Sequence, residues 1–250
     1  MSVLLEICVD DAAGVEAAIA GGANRIELCS ALELGGLTPS SALLARAVAT
    51  GLPVHAMIRP RGGGFVLKGP DVELMVDEIR RTLAAGAAGV VIGALRSDGR
   101  LDRDALARFR DAARGAIIVL HRAIDLTPDP VEAVREACAL GYDKILSSGG
   151  APTVIEGAAV LARMVEVAAS RLSIIAGSGV SSDNVHQVLA QTGVGEIHAS
   201  ASRAAAPLDP AAVRLGFGIA PRRMTDAAIV QRLRAAITNH IASTLGETDA

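Results

Sequence analysis

Short apolar runs and amphipathic stretches alternate eight times along this chain. The apolar runs are VLLEICV (3–9), RIELCS (25–30), PVHAMIR (53–59), GVVIGAL (89–95), AIIVLHR (116–122), KILSSG (144–149), LSIIAGSG (172–179) and EIHASAS (196–202). They are rich in valine and isoleucine, and most lack clean polar alternation. That is the pattern of strands covered on both faces in a parallel sheet. The stretches between them have helical spacing and close on glycine, as in VEAVREACALGYDKIL and VHQVLAQTGVGEIHAS. Thr38-Pro39 reads as an N-cap followed by proline at the first helical position. Asp102 opens a helix that ends at Gly115.

This recurring grammar of helix, glycine stop and strand is that of a right-handed βα unit. Eight units in 250 residues predict an α/β fold, a single-domain (β/α)8 TIM barrel with a parallel eight-stranded core over residues 1–250. A doubly wound open sheet would place a GxGxxG turn after the first strand. Here the first strand leads into VDDAAG, so no nucleotide cofactor is expected. Residues 203–224 break the rhythm and read as a long loop after strand eight, with a closing helix over 225–245. The terminal GETDA is expected to fray.

Composition narrows the class. Apolar residues make up 51% of the chain and aromatics 2%, with no tryptophan, so the core is aliphatic. A net charge of −3 gives no electrostatic footprint for nucleic acid, and no aromatic stacking platform exists. No basic leader and no long apolar window is present, so neither secretion nor membrane insertion is expected. Three scattered cysteines do not make a disulfide framework, and a reduced, cytoplasmic protein is expected.

Chemistry in such a barrel sits at the C-terminal ends of the strands, and strand side chains alternate with period two. One parity collects Glu6 and Cys8, Glu27 and Cys29, His55, Met57 and Arg59, His121, Ser148, and His198 and Ser200. A lumen filled only for packing would hold valine, isoleucine and leucine, whereas buried charge needs a partner or a purpose. Glu6 and Glu27 also read as structural ion pairs with Arg25 or Arg59. Cys8, Cys29 and Cys138 also read as small core residues, and His55 as a hydrogen-bonded core histidine. His186 and His240 fall on helices, as packing or surface residues. In LHRAIDL, His121, Arg122 and Asp125 place imidazole, guanidinium and carboxylate together at a strand end. That set suits acid–base work on an anionic ligand, or a loop held by an Arg–Asp pair. The backbone of Gly177, Ser178 and Gly179 reads as an anion cradle leading into a helix. Two lysines, Lys68 on a loop and Lys144 at the far end of a strand, leave no candidate for Schiff-base chemistry. No HExxH, paired CxxC or GxSxG motif occurs.

Taken in order, LLEICVDD, NRIELCSALELGGLTPS, PVHAMIRPRGGGF, HRAID, ILSSGG, IIAGSGV and EIHASAS resemble the CutC family, named as copper homeostasis proteins, over roughly residues 3–203. The resemblance implies a (β/α)8 barrel, cytoplasmic copper handling as Cu(I), Cys8 and Cys29 as copper ligands, and a homodimer. Thiolate is the soft donor that Cu(I) favours. The family's RPRGGDF reads RPRGGGF here, so Gly64 removes a carboxylate from that loop, and HRAFD reads HRAID.

Three functions stay open. The first is Cu(I) binding in copper homeostasis. The second is an enzyme for a small phosphorylated or carboxylated metabolite. There Arg59, Arg61, Arg122, Gly177, Ser178, Gly179 and Ser200 would hold the anion, while Glu6, Glu27, His121, Asp125 and His198 would exchange protons. The third is a divalent-metal site of Glu6, Glu27, His121 and His198.

Overall fold

The structure is a computed structural model and describes residues 3–217 and 223–248. Eight parallel strands close into a barrel in sequence order: β1 (Leu4–Val9), β2 (Arg25–Leu28), β3 (Val54–Met57), β4 (Gly89–Ile92), β5 (Ile117–Leu120), β6 (Lys144–Ser147), β7 (Ser173–Ala176) and β8 (Glu196–Ala199). Hydrogen bonding of β8 to β1 completes the closure and removes the open sheet from consideration.

The strands are shorter than the apolar runs. β3 stops at Met57, for example, so Arg59 stands on the loop above it. The run overshoots because residues leaving a barrel strand stay buried under the loops, and burial keeps them apolar.

The outer helices are α1 (Ala12–Ala20), α2 (Ser41–Val48), α3 (Gly69–Ala84), α4 (Arg103–Ala112), α5 (Pro130–Ala139), α6 (Ala158–Ala168) and α7 (Val185–Thr192). Asp102 caps α4 as expected, its carboxylate accepting from the Ala105 N–H at 3.1 Å. Thr38 does not cap α2. Ser40 does, accepting from Leu43, while Thr38 Oγ1 accepts the Arg59 N–H at 3.0 Å and ties the loop after β2 to the loop after β3.

The stretch expected as a plain loop contains β9 (Ser202–Ala204), α8 (Pro210–Arg214) and β10 (Arg223–Thr225), with β9 and β10 paired antiparallel. Its residues 218–222 lie outside the described residues. The closing helix α9 spans Ala227–Thr248 and so enters the GETDA segment, of which residues 249 and 250 lie outside the described residues. Among the described residues no helix is long and apolar enough to cross a membrane.

Two apolar layers build the core. One strand parity, including Leu5, Ile7, Ile26, Leu28, Val54 and Ala56, packs outward against the helices. The other points inward, and there Met57, Val91, Val119, Leu146 and Ile175 form a separate buried cluster with Cys29. β4 to β7 thus give the lumen an aliphatic wall. β8, β1, β2 and the start of β3 face it with acids, thiols and imidazoles.

Candidate functional site

The polar wall is built from the bottom upward. Register places Arg25 of β2 beside Glu6 of β1, and Glu196 of β8 beside Leu4 of β1. The Arg25 Nε–H donates to Glu6 Oε2 at 2.5 Å, and an Nη2–H donates to Glu196 Oε2 at 2.7 Å. Lys144 completes the row by pairing with Glu196. Glu6 is therefore structurally paired with Arg25, one of its two sequence readings. Glu196 and Lys144 were missed as lumen residues, although each shares parity with a residue singled out on its own strand, His198 and Ser148.

Glu6 also reaches upward. Its Oε1 lies 2.8 Å from His198 Nδ1, and its Oε2 lies 3.6 Å from His55 Nδ1. Burial works against ionisation of Glu6. The hydrogen bond from His198, the nearby His55 ring and the Arg25 charge outweigh it and hold the carboxyl well below its usual range. Burial likewise disfavours a charged His198. The facing Cys8 sulfur, Glu27 and Glu6 outweigh that and raise it well above the ordinary histidine range. The two form a buried ion pair.

The far side of the His198 ring carries the possible metal chemistry. His198 Nε2 lies 3.9 Å from Glu27 Oε2. Donor atoms of Cys8, Glu27 and His198 all fall within 4.8 Å of one another, and all three residues are buried. Register explains the grouping: Cys8 and Glu27 are direct cross-strand partners, as are Glu6 and His198. Cys29, two residues beyond Glu27, adjoins the group by donating its thiol to Glu27 Oε2 at 3.7 Å. Burial, then the Glu27 charge, pushes that thiol well above its ordinary range. Burial also raises Glu27, to about 6. The divalent set of Glu6, Glu27, His121 and His198 is not assembled as such: Glu6 is engaged behind His198, and the tight group contains Cys8 in place of His121.

The mouth residues have partners that the sequence does not disclose. Arg59 is buried, and its terminal nitrogens donate to the carbonyls of Leu34, Gly36 and Gly63 at 2.8, 3.1 and 2.7 Å. Arg61 is exposed and pairs with Asp71 at 2.8 Å, an acid supplied by α3 where Gly64 carries none. Arg122 bonds Asp125 and Ser148 Oγ, each at 2.8 Å. Asp125 accepts in addition from Ser147 Oγ, the Ser148 N–H and the Gly150 N–H. HRAID is thus the loop held by an Arg–Asp pair. The Gly177 N–H donates to the Ser147 carbonyl, and α7 starts only at Val185 after its N-cap Asn184. The glycine turn therefore does not open that helix. Ser200 Oγ meets Ser202 Oγ at 3.0 Å on the exposed rim.

His121 stands apart. It follows β5, its Nδ1 accepts the Ala123 N–H at 3.1 Å, and its ring packs against Phe65 at 4.7 Å. Gly93, the residue after β4, makes way for it: a Cβ there would lie 2.3 Å from His121 Cε1. Burial, then the Arg59 charge, lowers the imidazole to about 3, so it is neutral.

Unfolded His121 takes up a proton near its ordinary pKa of 6.5 and the folded side chain does not, so stability falls as pH drops below about 6.5. Asn at this position keeps an acceptor for Ala123 and loses the titration. Acidification from pH 7 to 5 is expected to destabilise wild type by about 2 kcal/mol more than His121→Asn, measured by urea unfolding at both pH values. Glu27, raised to about 6, acts in the opposite direction over the same range in both proteins and cancels from the comparison.

Comparison with known proteins bears on this lumen. The model of the CutC family matches residues 3–203. A family protein CutC from Sinorhizobium medicae is 47% identical over 235 residues, covering 94% of this chain and 96% of the relative. One from Rhizobium meliloti is 48% identical over 231 residues, 92% and 94% of the two chains. Among solved structures, CutC of Streptococcus agalactiae, whose name links it to copper homeostasis, superposes with a TM-score of 0.76 at 30% identity, over 79% of this chain and 98% of that one. Thiamine phosphate pyrophosphorylase from Pyrococcus furiosus, at 18% identity and a TM-score of 0.58, shares the fold alone.

Proposed function

The chain belongs to the CutC family, and from that premise we propose that it serves copper homeostasis in the cytoplasm by binding one Cu(I) ion inside its barrel. The ligands are the Cys8 thiolate and His198 Nε2, with Cys29 as a further sulfur and Glu27 as the base beside it. The carrying observation is the buried convergence of Cys8, Glu27 and His198 within 4.8 Å. Thiolate and imidazole are donors that suit Cu(I).

The surroundings support this reading. A metal-ligating histidine characteristically gives its other ring N–H to a carboxylate, which fixes its orientation and raises its basicity. Glu6 stands in that position at His198 Nδ1 and is itself anchored by Arg25. Metal binding must displace protons from the thiols and from Nε2. Glu27, ionising near 6, accepts the Cys29 hydrogen bond and can receive that proton. Two of the arginines are neutralised, Arg61 by Asp71 and Arg122 by Asp125, whereas Arg59 keeps its charge and stands on the loop after β3, away from Cys8 on β1 and His198 on β8. The Glu27 carboxylate within the group favours one second reading, a borderline divalent ion such as Zn2+.

Anaerobic titration with Cu(I) against a competing chelator, repeated with Zn2+, tests the proposal. One equivalent of Cu(I) taken from the chelator, with Zn2+ held more weakly, is the expected result. Preference for Zn2+ would move the assignment to the second reading, and failure to compete for either ion would end both.

A further inference from the structure

Two buried nitrogen donors at the mouth have no protein partner among the described residues: Arg59 Nε and His121 Nε2. The first belongs to a guanidinium whose other nitrogens are engaged by three backbone carbonyls. The second belongs to a ring whose Nδ1 already accepts the Ala123 N–H, which leaves the neutral imidazole's proton on Nε2. Both groups pack on one side chain, since the Arg59 guanidinium lies 4.9 Å from the Phe65 ring centroid and the His121 ring lies 4.7 Å from it. Arg59 is 8% exposed and His121 is 4% exposed, so each N–H is withdrawn from bulk water. Leaving a buried donor unpaired carries the full cost of stripping it of water. Two around one aromatic ring, each fixed by the bonds its other nitrogens make, mark a position prepared for an acceptor.

We propose that Arg59 Nε–H and His121 Nε2–H, beside the Phe65 ring, form a binding site for a small monocarboxylate at the β3–β5 side of the mouth. Two single donors, one just after β3 and one just after β5, match the two oxygens of one carboxylate. One formal charge, on Arg59, matches a monoanion. Phosphate carries more charge and more acceptor oxygens than two N–H groups can satisfy. Phe65 offers an apolar surface to the carbon skeleton. Asp125, which would repel an anion from beneath the same loop, is already paired with Arg122 and bonded to Ser147 and Ser148. The Cys8, Glu27 and His198 group stands on β1, β2 and β8, and only Cys29, which packs under the Gly36 loop that Arg59 bonds, adjoins this sector.

The test uses metal-free full-length protein labelled with 15N-histidine. Sodium acetate, pyruvate and lactate are titrated against sodium chloride and sodium phosphate of equal ionic strength. Long-range 15N–1H spectra follow the imidazoles. One neutral histidine with its proton on Nε2, absent from the spectrum of His121→Asn, is expected to shift saturably with a monocarboxylate. Neither chloride nor phosphate should move it. The same carboxylate should raise the melting temperature of wild type, and its affinity for His121→Asn should be at least tenfold weaker. An Nε2 signal unmoved by all three carboxylates overturns the proposal. So does equal saturation by phosphate, or undiminished binding by the variant. Should the variant fail to fold, the wild-type titration alone decides. None of these readouts involves copper, so the site stands or falls apart from the Cu(I) assignment.

Discussion

Arg25→Met is expected to cost the fold about 3–5 kcal/mol, the range for removing one partner of a buried ion pair. Methionine fills much of the volume, so the loss is electrostatic and not a cavity effect. Arg25 joins Glu6 to Glu196 inside the lumen, and both carboxylates are buried. Without it Glu6 keeps only His198 and the longer approach of His55, and Glu196 keeps only Lys144. At about 2–4 °C per kcal/mol for a chain of this size, melting should fall by about 6–20 °C. Arg61→Ala is the control. Its ion pair with Asp71 is exposed and should be worth at most about 1 kcal/mol. If the two substitutions shift melting equally, the floor of the barrel is not the low-dielectric network described here.

Cys8→Ser is expected to abolish the competitive Cu(I) affinity while leaving the fold intact. The substitution is nearly isosteric, and a hydroxyl can donate to the Ala199 carbonyl that Cys8 Sγ approaches at 3.7 Å. Serine offers a hard, protonated oxygen where Cu(I) requires a soft anion. Losing a group that only orients a ligand typically weakens a metal site about 10–100-fold, and losing the thiolate that binds the ion should exceed that. Cys29→Ser should weaken binding less, because Cys29 stands beside the group and not within it. Equal effects of the two would mean a symmetric pair of sulfur ligands, with His198 as a bystander.

Much of this is legible in the chain. Period-two parity alone brings Glu6, Cys8, Glu27, Cys29 and His198 to one wall, because a barrel strand has only two faces and the other is filled by residues such as Leu5, Ile7 and Ile26. Family resemblance singles out the two cysteines as the proposed ligands, and register adds what neither can: Cys8 stands directly beside Glu27. The mouth is where sequence reading fails. Arg59 reads as a guanidinium awaiting an anion because its acceptors are the carbonyls of Leu34, Gly36 and Gly63, and every residue has a carbonyl. Likewise Thr38-Pro39 carries the marks of a helix cap, but Thr38 serves a loop–loop bond that depends on tertiary placement of Arg59. What survives of the arginine signal is a single nitrogen, Nε, which is where the carboxylate site is proposed.

The central claim is mixed coordination by a thiolate from β1 and an imidazole from β8. X-ray absorption at the copper K-edge of the anaerobically Cu(I)-loaded protein tests it most directly. The account predicts a first shell containing sulfur together with the outer-shell scattering of one imidazole, both lost in Cys8→Ser. A shell of sulfur alone, or a spectrum that Cys8→Ser leaves unchanged, would contradict it.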